Sequence, residues 1–175
     1  MKIDAKKKKI LGFIAVFELL ILLPSFGIKL PRFMYLNVTE SLPLGIYLKI
    51  PGTGLRNGDI VAFRNSPDIE KLIIERDYFP EHFGRPIMLK HAAVEGTPYM
   101  IGTDRTVMVQ NRYIGLMKAS DSQGRPVPQQ HPGKYIVPVG YFLPYTTAAN
   151  SFDGRYYGPI EKENIEARVI PLFTW

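Results

Sequence analysis

Short apolar runs separated by turn-forming residues constrain the fold of this chain more than any other feature of its sequence. The chain has 15 glycines and 15 prolines among 175 residues. Runs of about four to eight apolar or alternating residues, bounded by Gly, Pro and Asn, are typical of antiparallel strands. The sequence therefore predicts a mainly β, antiparallel domain. The predicted strands are residues 46–50, 60–64, 87–94, 106–110, 113–117, 135–139, 141–143 and 167–173.

One helix is predicted among these strands. Ser66 is a suitable N-cap and Pro67 suits the first helical position, where a missing N–H costs nothing. Ile69, Leu72, Ile73 and Arg76 would then define its faces. The polar stretch 119–133, rich in proline and glycine, is expected to form a long loop or the tip of a hairpin.

The N-terminal part of the chain has the pattern of a membrane anchor. Residues 10–30 are predominantly apolar, close to the length of about 20 residues that crosses a bilayer as a helix. We expect a cytoplasmic basic tail over residues 1–9, a transmembrane signal anchor over 10–30 and an extracytoplasmic domain over 31–175. Glu18 within the span would be protonated or paired with another helix. A cleaved signal peptide is the alternative, but the apolar character extends further than such a segment needs.

The distribution of charge argues against a nucleic-acid partner. The formal net charge is +6, from 22 basic and 16 acidic residues. Five lysines and one aspartate lie within the first nine residues, which leaves 17 basic and 15 acidic residues in the rest of the chain. No basic stripe therefore remains for a phosphate backbone. The absence of cysteine excludes disulfides and thiol catalysis.

Ser41 is the first candidate for chemistry. It lies in the run 37–47, a few residues after the apolar segment, where Pro43 and Gly45 follow it. A serine followed by proline and a glycine-led strand is compatible with a nucleophile held on a rigid turn near a membrane surface. The same pattern is more often an ordinary turn. A serine hydroxyl also needs a base to remove its proton.

Lys90 is the candidate base. It lies in the strongly apolar strand 87–94, and burial would lower the pKa of its ammonium group. Because side chains alternate along a strand, Lys90 and His91 should face opposite ways, so only one of them can meet the serine. His82 and His131 lie in loop-like settings. The alternative without a catalytic role is that Lys90 occupies a surface position on the strand.

A third segment could support this pair. Within residues 150–159, Asp153 and Arg155 are spaced to form an ion pair on one face of an extended segment. Ser151 lies on the same face and could hold a neutral amine by a hydrogen bond. A salt-bridged loop without functional meaning is the alternative. The scattered histidines show no metal-ligand spacing, and no phosphate-binding glycine loop is present, so no metal and no cofactor are expected.

Together, these segments resemble the signal peptidase I (S26) family of serine–lysine proteases, specifically its TraF-like conjugal-transfer branch. The segments occur in the family's order and cover most of the chain after the apolar segment. The matching sequences are TESLPLGIY at 39–47, NGDIVAF at 57–63, LKHAAV at 89–94, NSFDGRYYGPI at 150–160 and the Gly-Arg-Pro at 124–126.

The resemblance implies a role for each residue. Ser41 would be the acyl-forming nucleophile, Lys90 the general base, and Thr39 the oxyanion donor beside the Ser41 backbone N–H. The supporting residues would be Ser151, which orients the Lys90 amine, and Asp153 with Arg155, which brace the segment 151–155 beside it. We call this segment the lysine wall. Three departures from the family are His91 in place of an arginine, residues 95–98 in place of a Pro-Gly-Asp turn, and Gly154 in place of a serine.

The resemblance also implies a function. We expect a membrane-anchored serine endopeptidase that processes secreted precursors such as a conjugative pilin, with or without cyclisation of the product. Its partners would be a membrane-bound precursor polypeptide and the lipid bilayer. The location would be a bacterial inner membrane, with the N-terminus cytoplasmic and the catalytic domain periplasmic. The alternatives are a general signal peptidase I and a non-catalytic, membrane-tethered scaffold of a secretion or pilus complex.

Overall fold

A computed structural model describes residues 33–52, 54–80 and 84–175. Residues Tyr35–Trp175 form one compact unit. The predicted tail 1–9, the predicted anchor 10–30 and His82 lie outside the described residues. Within the described part of the chain, no helix has both the length and the apolar character needed to cross a bilayer.

Eleven strands and two helices make up the described secondary structure. The helices are α1 (Pro67–Glu75) and the one-turn α2 (Gly154–Tyr157). A 3-10 helix spans Lys162–Asn164. The strands are β1 (Met34–Asn37), β2 (Gly45–Ile50), β3 (Ile60–Phe63), β4 (Met88–Val94), β5 (Pro98–Ile101), β6 (Thr106–Val109), β7 (Arg112–Leu116), β8 (Gly133–Ile136), β9 (Tyr141–Tyr145), β10 (Ile160–Glu161) and β11 (Ile165–Thr174).

The strands form two sheets. The larger has the order β1-β2-β11-β3-β4-β9-β10, and the smaller has the order β7-β6-β5-β8. The pairings of β3 with β4, β4 with β9 and β5 with β6 are antiparallel, as are those of β11 with β2 and β3. The prediction of a mainly β, antiparallel domain is therefore confirmed.

Each sheet buries its own apolar residues. Val61, Phe63 and Phe142 are fully buried in the larger sheet, where the two phenylalanine rings meet edge to face at 5.2 Å. Ile101 and Val107 belong to a second cluster on the smaller sheet. Burial on both faces explains why the β3 sequence reads as a continuous apolar run rather than an alternating one.

Turn geometry explains where several predicted element boundaries differ from the observed ones. β6 ends one residue before the predicted boundary because Gln110 and Asn111 both have positive φ, as a two-residue hairpin turn requires. β8 lies at 133–136 rather than 135–139, and a turn closed by Pro138 follows it. Helix α1 begins at Pro67 as predicted, but the side chain of Ser66 makes no capping hydrogen bond.

Gly45 allows the last strand, β11, to pack closely against the start of β2. Its φ is +151°, and a Cβ there would lie 2.1 Å from the Phe173 carbonyl oxygen. The backbone N–H of Trp175 donates to the Leu44 carbonyl 3.0 Å away. The end of β11 therefore lies against the residues that follow Ser41.

We predict that Gly45→Ala destabilises the fold by more than about 2 kcal/mol, because the new methyl group meets rigid backbone. Urea denaturation measures the free energy of unfolding. Gly58→Ala is the matched control: its φ is also positive, at +88°, but nothing lies within 4 Å of the added Cβ. Equal losses for the two variants would contradict this account of Gly45.

Candidate active site

Ser41 lies in the turn between β1 and β2. Its side chain is half-buried, and its Oγ lies 2.9 Å from Oγ1 of Thr39. Tyr47 also holds this turn, because its hydroxyl donates a hydrogen bond to the Pro43 carbonyl oxygen at 2.8 Å. The serine and the predicted oxyanion donor are therefore neighbours on one ordered turn.

Lys90 occupies the middle of β4, which lies between β3 and β9 in the larger sheet. The residue is only 1 % exposed, so the alternative of a surface lysine is wrong. Its Nζ donates a hydrogen bond of 2.8 Å to Oγ of Ser151, as the sequence predicted for this serine. One hydroxyl is a modest partner for a buried ammonium group.

Burial lowers the pKa of Lys90 from its ordinary value of 10.5 to about 8. Removal from water is the main cause, because it penalises the charged form. The negative charge of Asp153 opposes this shift, and the positive charge of Arg155 reinforces it. A considerable fraction of the amine is therefore uncharged in mildly alkaline solution, and an uncharged amine can accept a proton.

Asp153 and Arg155 form an ion pair beneath the lysine. Both side chains are fully buried, and Nε of Arg155 lies 2.8 Å from Oδ1 of Asp153. Asp153 also accepts hydrogen bonds from the backbone N–H groups of Arg155 and Thr146. The predicted pairing is present, but on the N-cap and first turn of α2 rather than on an extended segment.

Gly115 makes room for this ion pair. A Cβ at this position would lie 2.7 Å from Nη1 of Arg155. The smaller sheet, through β7, thus packs directly against the guanidinium group that braces the lysine wall. No sequence signal identified this glycine, because its reason lies in a side chain 40 positions further along the chain.

One cleft brings the candidate residues together. It has a volume of about 490 Å³, and its lining includes Thr39, Ser41, Lys90 and Ser151. The hydroxyl predicted to be the nucleophile, the hydroxyl predicted to be the oxyanion donor and a buried amine therefore line the same space. This arrangement has the groups that acyl transfer requires: a nucleophile, a base and a donor for a developing oxyanion.

A second cleft of about 430 Å³ also borders Ser41. His91 lines this cleft rather than the first, and its Nδ1 lies 2.8 Å from the Gly58 carbonyl oxygen. Lys90 and His91 thus face different clefts, as strand alternation predicts, but Ser41 borders both. His131 is exposed.

The roles proposed for the site residues remain predictions.

Comparison with known proteins identifies the class of this chain as a peptidase. The family model described as "Signal peptidase, peptidase S26" matches residues 8–175. The chain therefore belongs to the signal peptidase family, peptidase S26, which confirms the resemblance found in its sequence.

Relatives are found among plasmid transfer proteins. "Plasmid transfer protein TraF" of Escherichia coli is 30% identical over 150 residues, which cover 79% of this chain and 82% of the relative. "Conjugal transfer protein TraF" of Agrobacterium fabrum strain C58 is 34% identical over 152 residues, which cover 79% and 81%. A solved signal peptidase I from Enterococcus faecalis V583 matches 69% of this chain and 100% of its own, with 16% identity and a TM-score of 0.40.

The burial of Lys90 predicts a pH-dependent effect of its removal on stability. The pKa of Lys90 is about 8 in the folded chain and near 10.5 when unfolded, so between these values the unfolded chain binds the proton that the folded chain has lost. The stability of the wild type therefore rises with pH across this window, and the penalty below about pH 8 is roughly 3 kcal/mol. Lys90→Met should consequently stabilise the fold more at about pH 7 than at about pH 10.

Urea denaturation of both proteins at each pH measures this difference. Lys134→Met is the control, because Lys134 is exposed in β8 and the substitution removes a lysine without removing a buried amine. A stabilisation by Lys90→Met that is the same at both pH values would contradict the burial of an ionisable amine.

Proposed function

We propose that this chain is a membrane-anchored serine endopeptidase that uses Ser41 and Lys90 as a catalytic dyad. The observation that carries the proposal is the shared cleft, where Ser41 and a fully buried Lys90 line the same space. Ser151 fixes the Lys90 amine through its hydroxyl. The buried ion pair of Asp153 and Arg155 keeps the lysine wall rigid.

The reaction starts with proton transfer from the Ser41 hydroxyl to the neutral amine of Lys90. The freed Ser41 Oγ attacks the carbonyl carbon of the scissile bond, and the negative charge moves to the carbonyl oxygen. Thr39 and the Ser41 backbone N–H stabilise this oxyanion. Lys90 then gives its proton to the departing amine, which leaves an acyl-enzyme on Ser41.

Water completes the reaction when the product is a free acid. Lys90, neutral again, removes a proton from the water as it attacks the acyl carbon, and Ser41 recovers its proton. An amine from the same polypeptide could take the place of water and give a cyclic product. Both outcomes use the same residues in the same order.

The proposed substrate is a secreted precursor such as a conjugative pilin. The names of the TraF relatives, which refer to plasmid and conjugal transfer, support a role in that process. The apolar segment 10–30 and the lysines before it support an anchor in the bacterial inner membrane with a periplasmic catalytic domain. Both the precursor and the cleft would then lie at the membrane surface.

Co-expression with the pilin precursor of the same transfer region tests the proposed substrate. Mass measurement of the purified pilin should show a shortened product, and a further loss of one water mass would identify cyclisation. An unprocessed pilin together with rescue of a strain depleted of its housekeeping signal peptidase would instead favour the general signal peptidase. An unprocessed pilin without such rescue would favour the non-catalytic scaffold.

We predict that Ser41→Ala and Lys90→Ala abolish precursor cleavage, because each removes a group that takes part in bond formation. Thr39→Val should lower the rate by about 100-fold or more, since it removes one oxyanion donor. Gel analysis of precursor and product over time measures these rates. Ser122→Ala is the control, because Ser122 lines the same cleft without a proposed role. Full activity of the Ser41 or Lys90 variant would end the dyad hypothesis.

A further inference from the structure

Asn37, at the end of β1, has a side chain that is fully engaged with the turn carrying Ser41. The residue is 3 % exposed. Its Nδ2 donates to the backbone carbonyl oxygens of Thr39 at 3.0 Å, Leu42 at 2.9 Å and Pro43 at 3.0 Å. Its Oδ1 accepts from Thr39, from the backbone N–H at 3.4 Å and from Oγ1 at 3.1 Å.

These contacts suit an asparagine and no close substitute. Three carbonyl oxygens lie around Nδ2 and two donors lie around Oδ1, so a flipped amide would oppose like groups on both sides. An aspartate would place a carboxylate oxygen against the three carbonyl groups. A leucine of similar volume would leave every one of these polar groups without its partner.

The contact with Asn37 also determines where the hydroxyl protons of the turn point. A threonine hydroxyl has one proton, and Oδ1 of an asparagine can only accept. Thr39 therefore donates its proton to Asn37 Oδ1. In the 2.9 Å contact between Thr39 Oγ1 and Ser41 Oγ, Ser41 must then be the donor.

This orientation defines a resting state of the cleft. The Ser41 proton points toward Thr39, and Lys90 donates to Ser151. For catalysis, the Thr39 proton has to turn from Asn37 to the oxyanion, and the Ser41 proton has to turn toward the Lys90 amine. Both changes are rotations about C–O bonds, so no covalent bond of Asn37 or Thr39 forms or breaks.

We propose that Asn37 is a positioning residue for the peptidase reaction. It acts through Thr39, whose hydroxyl it holds beside Ser41 and whose proton it accepts until an oxyanion forms. It also holds the carbonyl groups of the turn, so that the serine and the oxyanion donor stay in register. The proposal rests on the proposed serine peptidase function, but its structural part can be tested without any substrate.

A double-mutant cycle on the full-length chain in detergent micelles tests the proposal. The probe is a quenched fluorescent peptide with alanine before the scissile bond. Asn37→Ala should lower kcat by about tenfold and change KM by less than about twofold, because the chemical step depends on the position of Thr39. With Thr39→Val already present, the same change should lower kcat by less than about threefold. Equal losses with and without Thr39→Val would overturn the proposal.

Tyr47→Phe is the matched control for support of the turn. The Tyr47 hydroxyl donates to the Pro43 carbonyl, the same group that Asn37 holds. Its removal should reduce kcat by the same factor with and without Thr39→Val, because it acts on the turn rather than on the Thr39 hydroxyl. If Asn37→Ala behaves in the same additive way as Tyr47→Phe, Asn37 is only a structural residue.

A second measurement does not depend on how the variants fold. Neutron diffraction from crystals of the deuterated wild-type chain shows the hydroxyl deuterons directly. A Thr39 deuteron directed at Asn37 Oδ1 supports the proposal, and one directed into the cleft overturns it. Failure of the wild type to cleave any peptide would contradict the proposed function and leave this structural result intact.

Discussion

The burial of the Lys90 amine is the constraint on which the rest of the site depends. An ammonium group in the middle of a seven-stranded sheet is costly, and its only hydrogen bond to a described residue is to Ser151. The penalty near neutral pH is a substantial part of the 5–15 kcal/mol that typically stabilises a domain. A chain that keeps such a residue needs a stable surrounding sheet, and it gains an amine that can be neutral under mild conditions.

The supporting structure removes this amine from water and pairs the nearby carboxylate with a guanidinium group. Asp153 favours the charged form of Lys90, and Arg155, its partner in a fully buried ion pair, offsets part of that effect. Gly115 brings β7 against the guanidinium group, so the smaller sheet contributes to the site without lining it with a reactive group. Residues of both sheets therefore pack around the groups that set the pKa of Lys90.

The Ser41 side of the cleft relies on hydrogen bonds rather than on burial. Ser41 lies on a turn whose carbonyl groups are held by Asn37 and Tyr47. The close packing of Gly45 against Phe173 fixes where the turn joins the sheet. A half-buried serine on a braced turn remains accessible to an extended peptide while hydrogen bonds hold the turn in place.

The sequence allowed prediction of the features that depend on local pattern. Apolar runs indicated most of the strands, and an isolated lysine in such a run indicated a buried amine at Lys90. Contacts between distant segments could not be predicted in the same way. The fit of Gly115 to Arg155 depends on tertiary packing, and the short strand β10 has no distinctive pattern. Asn37 was visible in the sequence, but only the folded turn shows that its amide meets five backbone and side-chain groups.

The pH dependence of kcat/KM for the quenched fluorescent peptide tests the central claim most directly, because it reports the ionisation of groups in the free enzyme. If a neutral Lys90 is the base, kcat/KM should rise about tenfold per pH unit on the acid side and level off above the pKa of about 8. A value of kcat/KM that stays constant from about pH 6 to pH 9, or that keeps rising to about pH 10.5, would contradict a buried lysine as the catalytic base.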